Sequence, residues 1–293
     1  MIKATFPLLS ELISPLEDLL YEEAPSNWCL QINRLTGEGT LEGFFDNQEL
    51  ALAEWTNLSR IFPAFAESLS PKLSIVEDRD WKEAYKEHFH PWSIGTLHLV
   101  PEWERETYVL PEGGKVLYVD PGMAFGTGLH ETTRLCLGAI IEFFEETDPV
   151  GLSCIDVGCG SGILALSAKL LGAGHVKGFD IDPEAGQISI ENSTANGMGG
   201  DISFTTNGIA GGLFSESADI VLANIQADVL CANAVPLLCA IRTQGLLALS
   251  GILSVEATKT AEFFQETINR LGLSFILRRK DEGEWTQFTL IRK

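Results

Sequence analysis

The hydrophobic positions of this chain divide it into two parts with different spacing. Before residue 80, short apolar segments and amphipathic helical segments follow one another in the order β-α-β-β-α-β. Leucines at helical spacing over 8–20 predict the first helix, and Asn47 can cap a second helix that runs to about residue 65. Between two apolar segments, the glycines at 37 and 39 predict a hairpin turn. We therefore expect residues 1–79 to form a small α+β, ferredoxin-like domain.

From residue 149 onward, strand-like segments alternate with helical segments, which favours an α/β fold with a parallel sheet covered on both faces. Gly172, Gly197 and Gly272 are placed where helices would stop. The last two apolar segments are separated by only four residues and predict an antiparallel hairpin at the sheet. The expected strands are 153–157, 176–181, 202–205, 220–223, 246–250, 274–280 and 285–291.

Residues 80–94 separate these two parts. The segment 80–90 is rich in charged and aromatic residues and is followed by Pro91, which ends a helix. We interpret 80–94 as a linker helix between the first domain and a second domain at 95–293. Short β segments at 96–100 and 115–120 are expected to open that second domain.

Three glycines follow the strand that ends at Val157. Gly158, Gly160 and Gly162 are spaced G-x-G-x-G, and glycine allows positive φ and the close approach of a ligand to backbone amides at a helix N-terminus. The dinucleotide fingerprint is G-x-G-x-x-G, so a nicotinamide cofactor is disfavoured. By themselves, the glycines fit either a ligand site or a tight structural bend.

Polar side chains end the next strands at the same expected edge of the sheet. Asp180 follows the glycines by about twenty residues, where an acidic side chain can accept both hydroxyls of an adenosine ribose. Asp182 precedes Pro183 and is interpreted as a helix N-cap. Asn224 alone would be an ordinary turn residue. With the glycines and Asp180, we interpret its amide as a donor and acceptor beside a cofactor.

Composition and charge restrict the partners. The formal net charge of −21 disfavours direct binding of nucleic acid and favours a cationic small molecule or a lysine-rich protein. The six cysteines show no Cys-x-x-Cys pair and indicate thiols in a reducing cytoplasm. There is no apolar segment of the ~20 residues that a membrane span needs. No set of metal ligands is expected, and we favour a cytoplasmic monomer without membrane contact.

The segment 120–133, with the sequence DPGMAFGTGLHETT, resembles the signature of the bacterial enzymes that methylate large-subunit ribosomal protein eleven, the PrmA family. The segments 80–91 and 249–253 match that family too. Residues 156–162, Asp180 and the terminal hairpin are similar to the seven-stranded class I methyltransferases, whose catalytic domain is Rossmann-like. The resemblance covers roughly 78–255, and the first domain only in layout.

The resemblance implies an S-adenosylmethionine-dependent methyltransferase that modifies lysine side chains and the N-terminal amine of its substrate. It also implies that the N-terminal domain holds the substrate. A helix-start hydroxyl with free amides, as at Thr133, would suit the carboxylate of the cofactor. The implied cofactor contacts are Thr133, Gly158, Asp180 and Asn224, with Phe125 and Gly126 in a loop over the methionine end.

Asn224 is our candidate catalytic residue, because its side-chain oxygen could orient the attacking amine. A lysine amine has an ordinary pKa near 10.4 and must be neutral to attack, which a desolvated pocket favours. No general base stands out, and His130 fits either a structural or a functional role.

Two alternatives remain open from the sequence. The family commonly has Asn-Ile-Leu-Ala where this chain has Gln226 at the third position, which leaves room for another protein or a small-molecule amine as the acceptor. A non-catalytic, adenosine-binding regulator is the second alternative. The intact glycines, Asp180 and Thr133 argue against it.

Overall fold

The structure is a computed structural model that describes residues 1–23, 27–32, 39–62, 70–75, 89–120, 130–213 and 217–293. It separates into two compact units, Met1–His88 and Phe89–Lys293. Most of the predicted linker helix, 80–88, lies outside the described residues. No described helix combines the length and the apolar character that crossing a membrane requires.

The N-terminal unit is a four-stranded sheet in the order β2-β3-β1-β4 with two helices. All of its neighbouring strands are antiparallel. The predicted β-α-β-β-α-β order is confirmed. Its elements are β1 (Ile2–Leu8), α1 (Ser10–Glu23), β2 (Trp28–Ile32), β3 (Gly39–Phe45), α2 (Gln48–Ile61) and β4 (Lys72–Ile75).

Aromatic rings fill the core of this unit. The Trp55 ring lies 4.9 Å from Phe6 and 5.9 Å from Trp28, measured between centroids. Gly43 makes room for this packing, because a Cβ there would lie 2.6 Å from the Trp28 ring. Asn47 caps α2 as predicted, accepting a hydrogen bond from the Leu50 amide at 2.9 Å.

The second unit is built on a seven-stranded sheet in the order β10-β9-β8-β11-β12-β14-β13. Its strands are parallel from β10 to β12, and β14 runs antiparallel to both of its neighbours. The predicted parallel sheet with an antiparallel hairpin is confirmed. The strands are β8 (Ser153–Val157), β9 (His175–Asp180), β10 (Ile202–Thr206), β11 (Ala218–Asn224), β12 (Ile241–Leu253), β13 (Phe275–Glu282) and β14 (Trp285–Arg292).

Helices cover both faces of this sheet and bury a separate apolar cluster on each. Gly172 and Gly272 end their helices as predicted, with positive φ that spares them the strain of a side chain. The helices are α3 (Glu131–Glu146), α4 (Ile163–Leu171), α5 (Pro183–Ala195), α6 (Ile209–Gly212), α7 (Ala227–Ala232), α8 (Ala234–Cys239) and α9 (Ala257–Leu271).

Two details differ from the sequence prediction. Residues 92–94, placed in the linker helix, instead form a strand, because Pro91 precludes a continuing helix and Trp92 and Ile94 pack against the apolar cluster. β12 begins at Ile241, five residues early, and bulges near Gln244, whose φ is +66°. The small sheet is completed by β5 (Trp92–Ile94), β6 (Leu97–Pro101) and β7 (Lys115–Val119), with a 3-10 turn at Glu102–Glu104.

Candidate active site

A cavity of about 680 Å³ lies at the carboxyl edge of the seven-stranded sheet. Open α/β sheets bind their ligands at this edge, because the loops there leave a crevice between the strand ends. The residues around it lie at or just after the ends of β8, β9, β10 and β11 and within β12, and β14 and the start of α3 also contribute. The lining comprises His130, Thr132, Gly158, Gly160, Phe179, Asp180, Ile181, Asn207, Gly208, Ile209, Asn224, Ile225, Gln226, Val229, Asn233, Gly251 and Trp285.

The glycine turn after β8 forms the floor of the cavity. Gly158, Gly160 and Gly162 have φ of +68°, +51° and +79°, which explains why glycines occupy these positions. Gly158 and Gly160 line the cavity. A Cβ at Gly158 would lie 2.6 Å from Ile225 Cγ2, so the bare backbone is required there.

Gly162 has a different environment. It precedes α4, and a Cβ there would meet Phe204 and Ser189 side-chain atoms at 3.1 Å. Gly162 is not one of the described residues that line the cavity. The structure therefore gives Gly162 a packing role, and a direct cofactor contact at this position stays a prediction.

Asp180 ends β9 on the cavity, beside the glycine turn. Its Oδ2 accepts the Gly160 amide at 3.0 Å and its Oδ1 accepts the Asp182 amide at 3.0 Å. A carboxylate has further lone pairs, so both oxygens can still accept hydroxyl groups. Asp182 caps α5 as predicted, accepting the Glu184 amide at 2.9 Å.

Apolar residues on the cavity next to Asp180 were missed by the sequence reasoning. Ile181 is 79% exposed although it is apolar, and it lies on the cavity together with Ile209. Asn207 and Gly208, the two residues directly after β10, also line the cavity. The Asn207 N–H donates to Asp180 O at 2.9 Å. The available signal was the polar Asn-Gly pair directly after a predicted strand, at the edge that already held Asp180.

Asn224 ends β11 and lies on the cavity as expected. Its Nδ2 donates to Thr132 Oγ1 at 3.2 Å, whereas its Oδ1 is buried and has no hydrogen-bond partner within the described part of the chain. A buried oxygen in this state is unfavourable unless a ligand supplies a donor.

The residues of the segment 120–133 that were predicted to contact the cofactor are not all found on the cavity. Thr133 lies in the first turn of α3 with its side chain fully buried, and its neighbour Thr132 is the one on the cavity. Phe125 and Gly126 lie outside the described residues. His130 caps α3 through its Nδ1 and packs edge-on against Trp285, with ring centroids 5.0 Å apart. Trp285 was also missed from the sequence, since it lies more than 100 residues beyond the glycines.

Asp156, on β8 beneath the glycine turn, is 1% exposed. Its pKa is raised from 3.8 to about 7, chiefly because burial penalises the charged form; the hydrogen bond from the Ala165 amide lowers the pKa, and the Asp180 carboxylate contributes a smaller increase. Asp180 carries backbone hydrogen bonds at the cavity surface, so the two carboxyl groups have distinct environments. No group of residues able to hold a metal occurs among those that the structure describes.

The cavity fits S-adenosylmethionine on three observations of this structure. Asp180 offers acceptors where a ribose would lie, and Gly158 and Gly160 leave the backbone of the cavity floor without side chains. Asn224 Oδ1 is a buried acceptor that has no donor among the described residues. The fold and this cavity define a Rossmann-like methyltransferase that uses S-adenosylmethionine as methyl donor. The model of the family described as ribosomal protein L11 methyltransferase (PrmA) matches residues 16–293. The chain belongs to this family.

Individual relatives agree with the family match. A ribosomal protein L11 methyltransferase of Geobacter sulfurreducens is 42% identical over 219 residues, which cover 74% of this chain and 68% of that protein. One of Edwardsiella ictaluri is 36% identical over 262 residues, covering 88% and 83%. The crystal structure of a ribosomal protein L11 methylase from Lactobacillus delbrueckii subsp. bulgaricus superposes with a TM-score of 0.61 at 30% identity, covering 70% of this chain and 100% of that one.

The packing role of Gly162 predicts a stability effect. Gly162→Ala meets both a positive φ and side-chain atoms at 3.1 Å, whereas Gly200→Ala meets a positive φ of +86° in open space. We expect Gly200→Ala to lower the free energy of unfolding by about 1 kcal/mol and Gly162→Ala by about 2–3 kcal/mol. Urea denaturation measures both, and equal losses would contradict the packing role.

Asp156 predicts a pH dependence of stability. Its pKa is raised in the folded protein, so the protonated form is the one that folding favours. Its contribution to stability is therefore full below the unfolded pKa of 3.8 and is lost as the pH rises to about 7. Relative to Asp156→Asn, the wild-type free energy of unfolding should fall between about pH 4 and pH 7 and then level off. A constant difference across this range would refute the assignment.

Proposed function

We propose that this chain transfers methyl groups from S-adenosylmethionine to amines of ribosomal protein L11. The observation that carries the proposal is the placement of Asp180, the bare glycine floor and the unpartnered Asn224 oxygen around one cavity. These three features supply a ribose acceptor, room for the cofactor backbone and an acceptor for an amine proton. The choice of ribosomal protein L11 as the substrate follows from the relatives, which are ribosomal protein L11 methyltransferases.

In this proposal, Asp180 accepts the ribose hydroxyls while Gly160 and Asp182 amides hold its carboxylate in place. Ile181 and Ile209 offer apolar surface to the adenine, and Asn207 offers hydrogen bonds at its rim. Further cofactor contacts at Gly158, Gly160, Gly162 and Thr133, and a loop with Phe125 and Gly126 over the methionine end, are proposed from the family signature.

Bound S-adenosylmethionine would supply a methyl group on a sulfonium sulfur, whose carbon a neutral amine could attack in line, with the neutral thioether as the leaving group. The tasks of the chain are to align that amine and to keep water away. Asn224 Oδ1 accepts one N–H of the amine, which leaves the nitrogen lone pair free to attack. The apolar walls from Ile225, Val229 and Trp285 favour the neutral form of the amine, because a charged amine would lose its hydration there.

The charge of the chain supports a basic protein substrate. A net charge of −21 attracts a lysine-rich large-subunit ribosomal protein and repels nucleic acid phosphates. We propose lysine side chains and the N-terminal amine as acceptors, a monomer as the active form and the cytoplasm as its location. We also propose that residues 1–79 hold the substrate, that 80–94 connect the domains and that 95–293 carry the catalysis.

One observation favours a second candidate. Gln226 lies on the cavity where the family commonly has leucine, and its side chain makes no capping bond to α7. A polar side chain at that position suits an acceptor with additional hydrogen-bonding groups. A methyltransferase for another protein or a small-molecule amine is therefore the alternative to test.

The substrate is tested with tritiated S-adenosylmethionine and ribosomal proteins from a strain that lacks endogenous L11 methylation. We expect a single labelled band that comigrates with L11, and digestion should place the label on lysine and on the N-terminal residue. A label on a different protein would support the alternative, and Gln226→Leu should then reduce it. No label in any protein, with a functional L11 methyltransferase as positive control, would contradict the proposed function.

The cofactor site is tested with neighbouring aspartates. We expect Asp180→Ala to weaken S-adenosylmethionine binding by at least ~1.5 kcal/mol, since the ribose hydroxyls lose a charged acceptor. Asp182→Ala is the matched control, because it removes the cap of α5 and should change Kd by less than about twofold. Isothermal titration calorimetry measures both. An unchanged Kd in Asp180→Ala would remove this residue from the site.

A further inference from the structure

Asn224 is held at only one end of its side-chain amide. Nδ2 lies 3.2 Å from Thr132 Oγ1, whereas Oδ1 is buried with no partner among the residues described. An amide that makes one bond can rotate by half a turn and exchange its donor and acceptor ends. For Asn224 to present its Oδ1 to an amine, another group has to fix the orientation of its side-chain amide.

The hydrogen bonds of Thr132 can fix this orientation. The Thr132 N–H lies 3.3 Å from His130 Nδ1 and donates to it in the tautomer that carries the ring proton on Nε2 and a lone pair on Nδ1. In this tautomer the Thr132 hydroxyl, 2.9 Å from the same nitrogen, donates its single proton to it, whereas a proton on Nδ1, which lies 3.9 Å from Glu131 Oε2, would reverse this bond. With the lone pair on Nδ1, the hydroxyl can only accept from Asn224, which places the amide nitrogen towards Thr132 and the amide oxygen away from it.

Thr132 and His130 are anchored to the sheet. Ser250 Oγ donates to Thr132 O at 3.1 Å, which joins the start of α3 to β12. Trp285 on β14 packs against the His130 ring at an interplanar angle of 66°. Thr132 is also 1% exposed, so water has little access to compete for its hydroxyl. Contacts to two strands thus fix the orientation of the hydroxyl.

We propose that Thr132, supported by His130, is a positioning residue that holds the Asn224 oxygen towards the acceptor amine. The inference rests on the proposed function, in which Asn224 orients that amine. Without the hydroxyl, the Asn224 amide would turn freely and present its NH₂ group in a fraction of molecules. That NH₂ group would donate to the lone pair of the amine and make it unavailable for attack.

The first test separates catalysis from cofactor binding. Thr132→Val removes the hydroxyl at constant shape, and we expect kcat on L11 to fall about tenfold, the usual weight of one such bond. Thr132→Ser retains the hydroxyl and should keep kcat within about twofold, and both variants should bind S-adenosylmethionine as the wild type does. Thr260→Val is the matched control, because Thr260 is a buried helical threonine in α9 whose hydroxyl donates to Glu256 O.

The second test asks whether Thr132 acts through Asn224. In an Asn224→Ala background, Thr132→Val should cause no further loss of kcat, since the side chain that it orients is gone. His130→Phe retains the ring packing on Trp285 and removes Nδ1. His130→Phe should lower kcat in the wild-type background and cause no further loss in the Asn224→Ala background. It replaces Thr132→Val in this test if that variant does not fold.

The outcomes are distinguishable. Additive losses in the double variant, or equal losses in Thr132→Ser and Thr132→Val, would overturn the positioning role while leaving the proposed function intact. A loss of cofactor affinity that accounts for the whole fall in activity would overturn it as well. No transfer to L11 by the wild type would contradict the proposed function and this inference with it.

Discussion

A hydrogen bond between two neighbouring strand ends organises the cavity. The Gly160 amide, in the turn after β8, donates to the Asp180 carboxylate at the end of β9. The same turn is tied to β9 by the Gly158 and Cys159 amides, which both donate to Phe179 O. These bonds form only because glycines allow the positive φ that brings the amides round to β9. The position of the ribose acceptor and the bare floor both follow from this turn.

Two aspartates near this turn have different environments. Asp180 lies at the rim, where the Gly160 and Asp182 amides donate hydrogen bonds to its carboxylate. Asp156 lies one layer below, with a single amide donor from Ala165 and an oxygen that has no partner among the described residues. Burial therefore penalises charge on Asp156. The same sheet thus holds an acceptor for ligand hydroxyls at its edge and a carboxyl group of raised pKa beneath it.

Much of the fold and part of the site were predictable from the sequence. Strand positions followed from apolar segments, and parallel strands place their carboxyl ends at one edge, so Gly158, Asp180 and Asn224 had to lie near one another. Thr132, which the structure places on the cavity beside the predicted Thr133, shows a limit of the sequence prediction. Successive helical residues point about 100° apart, and the phase of α3 is set by the cap at His130, which no periodicity reveals.

Other features depend on tertiary structure alone. The bulge of β12 requires a positive φ at Gln244, and glutamine carries no signal for that conformation. Trp285 joins the cavity through strand pairing of β14 with β12, a contact between segments that are distant in sequence. The resemblance to a family supplied the cofactor and the substrate class, and the geometry supplied the roles of Thr132 and Ile181.

The position of β14 in the sheet has a consequence for the cavity. β14 pairs with β12 on one side and with β13 on the other, although β13 precedes it along the chain. β13 therefore pairs with the sheet only through β14, and the β12–β14 pairing attaches the whole hairpin to the parallel strands. Since Trp285 begins β14 and pairs with Leu253, a change that loosens β14 from β12 would also open the cavity at this wall.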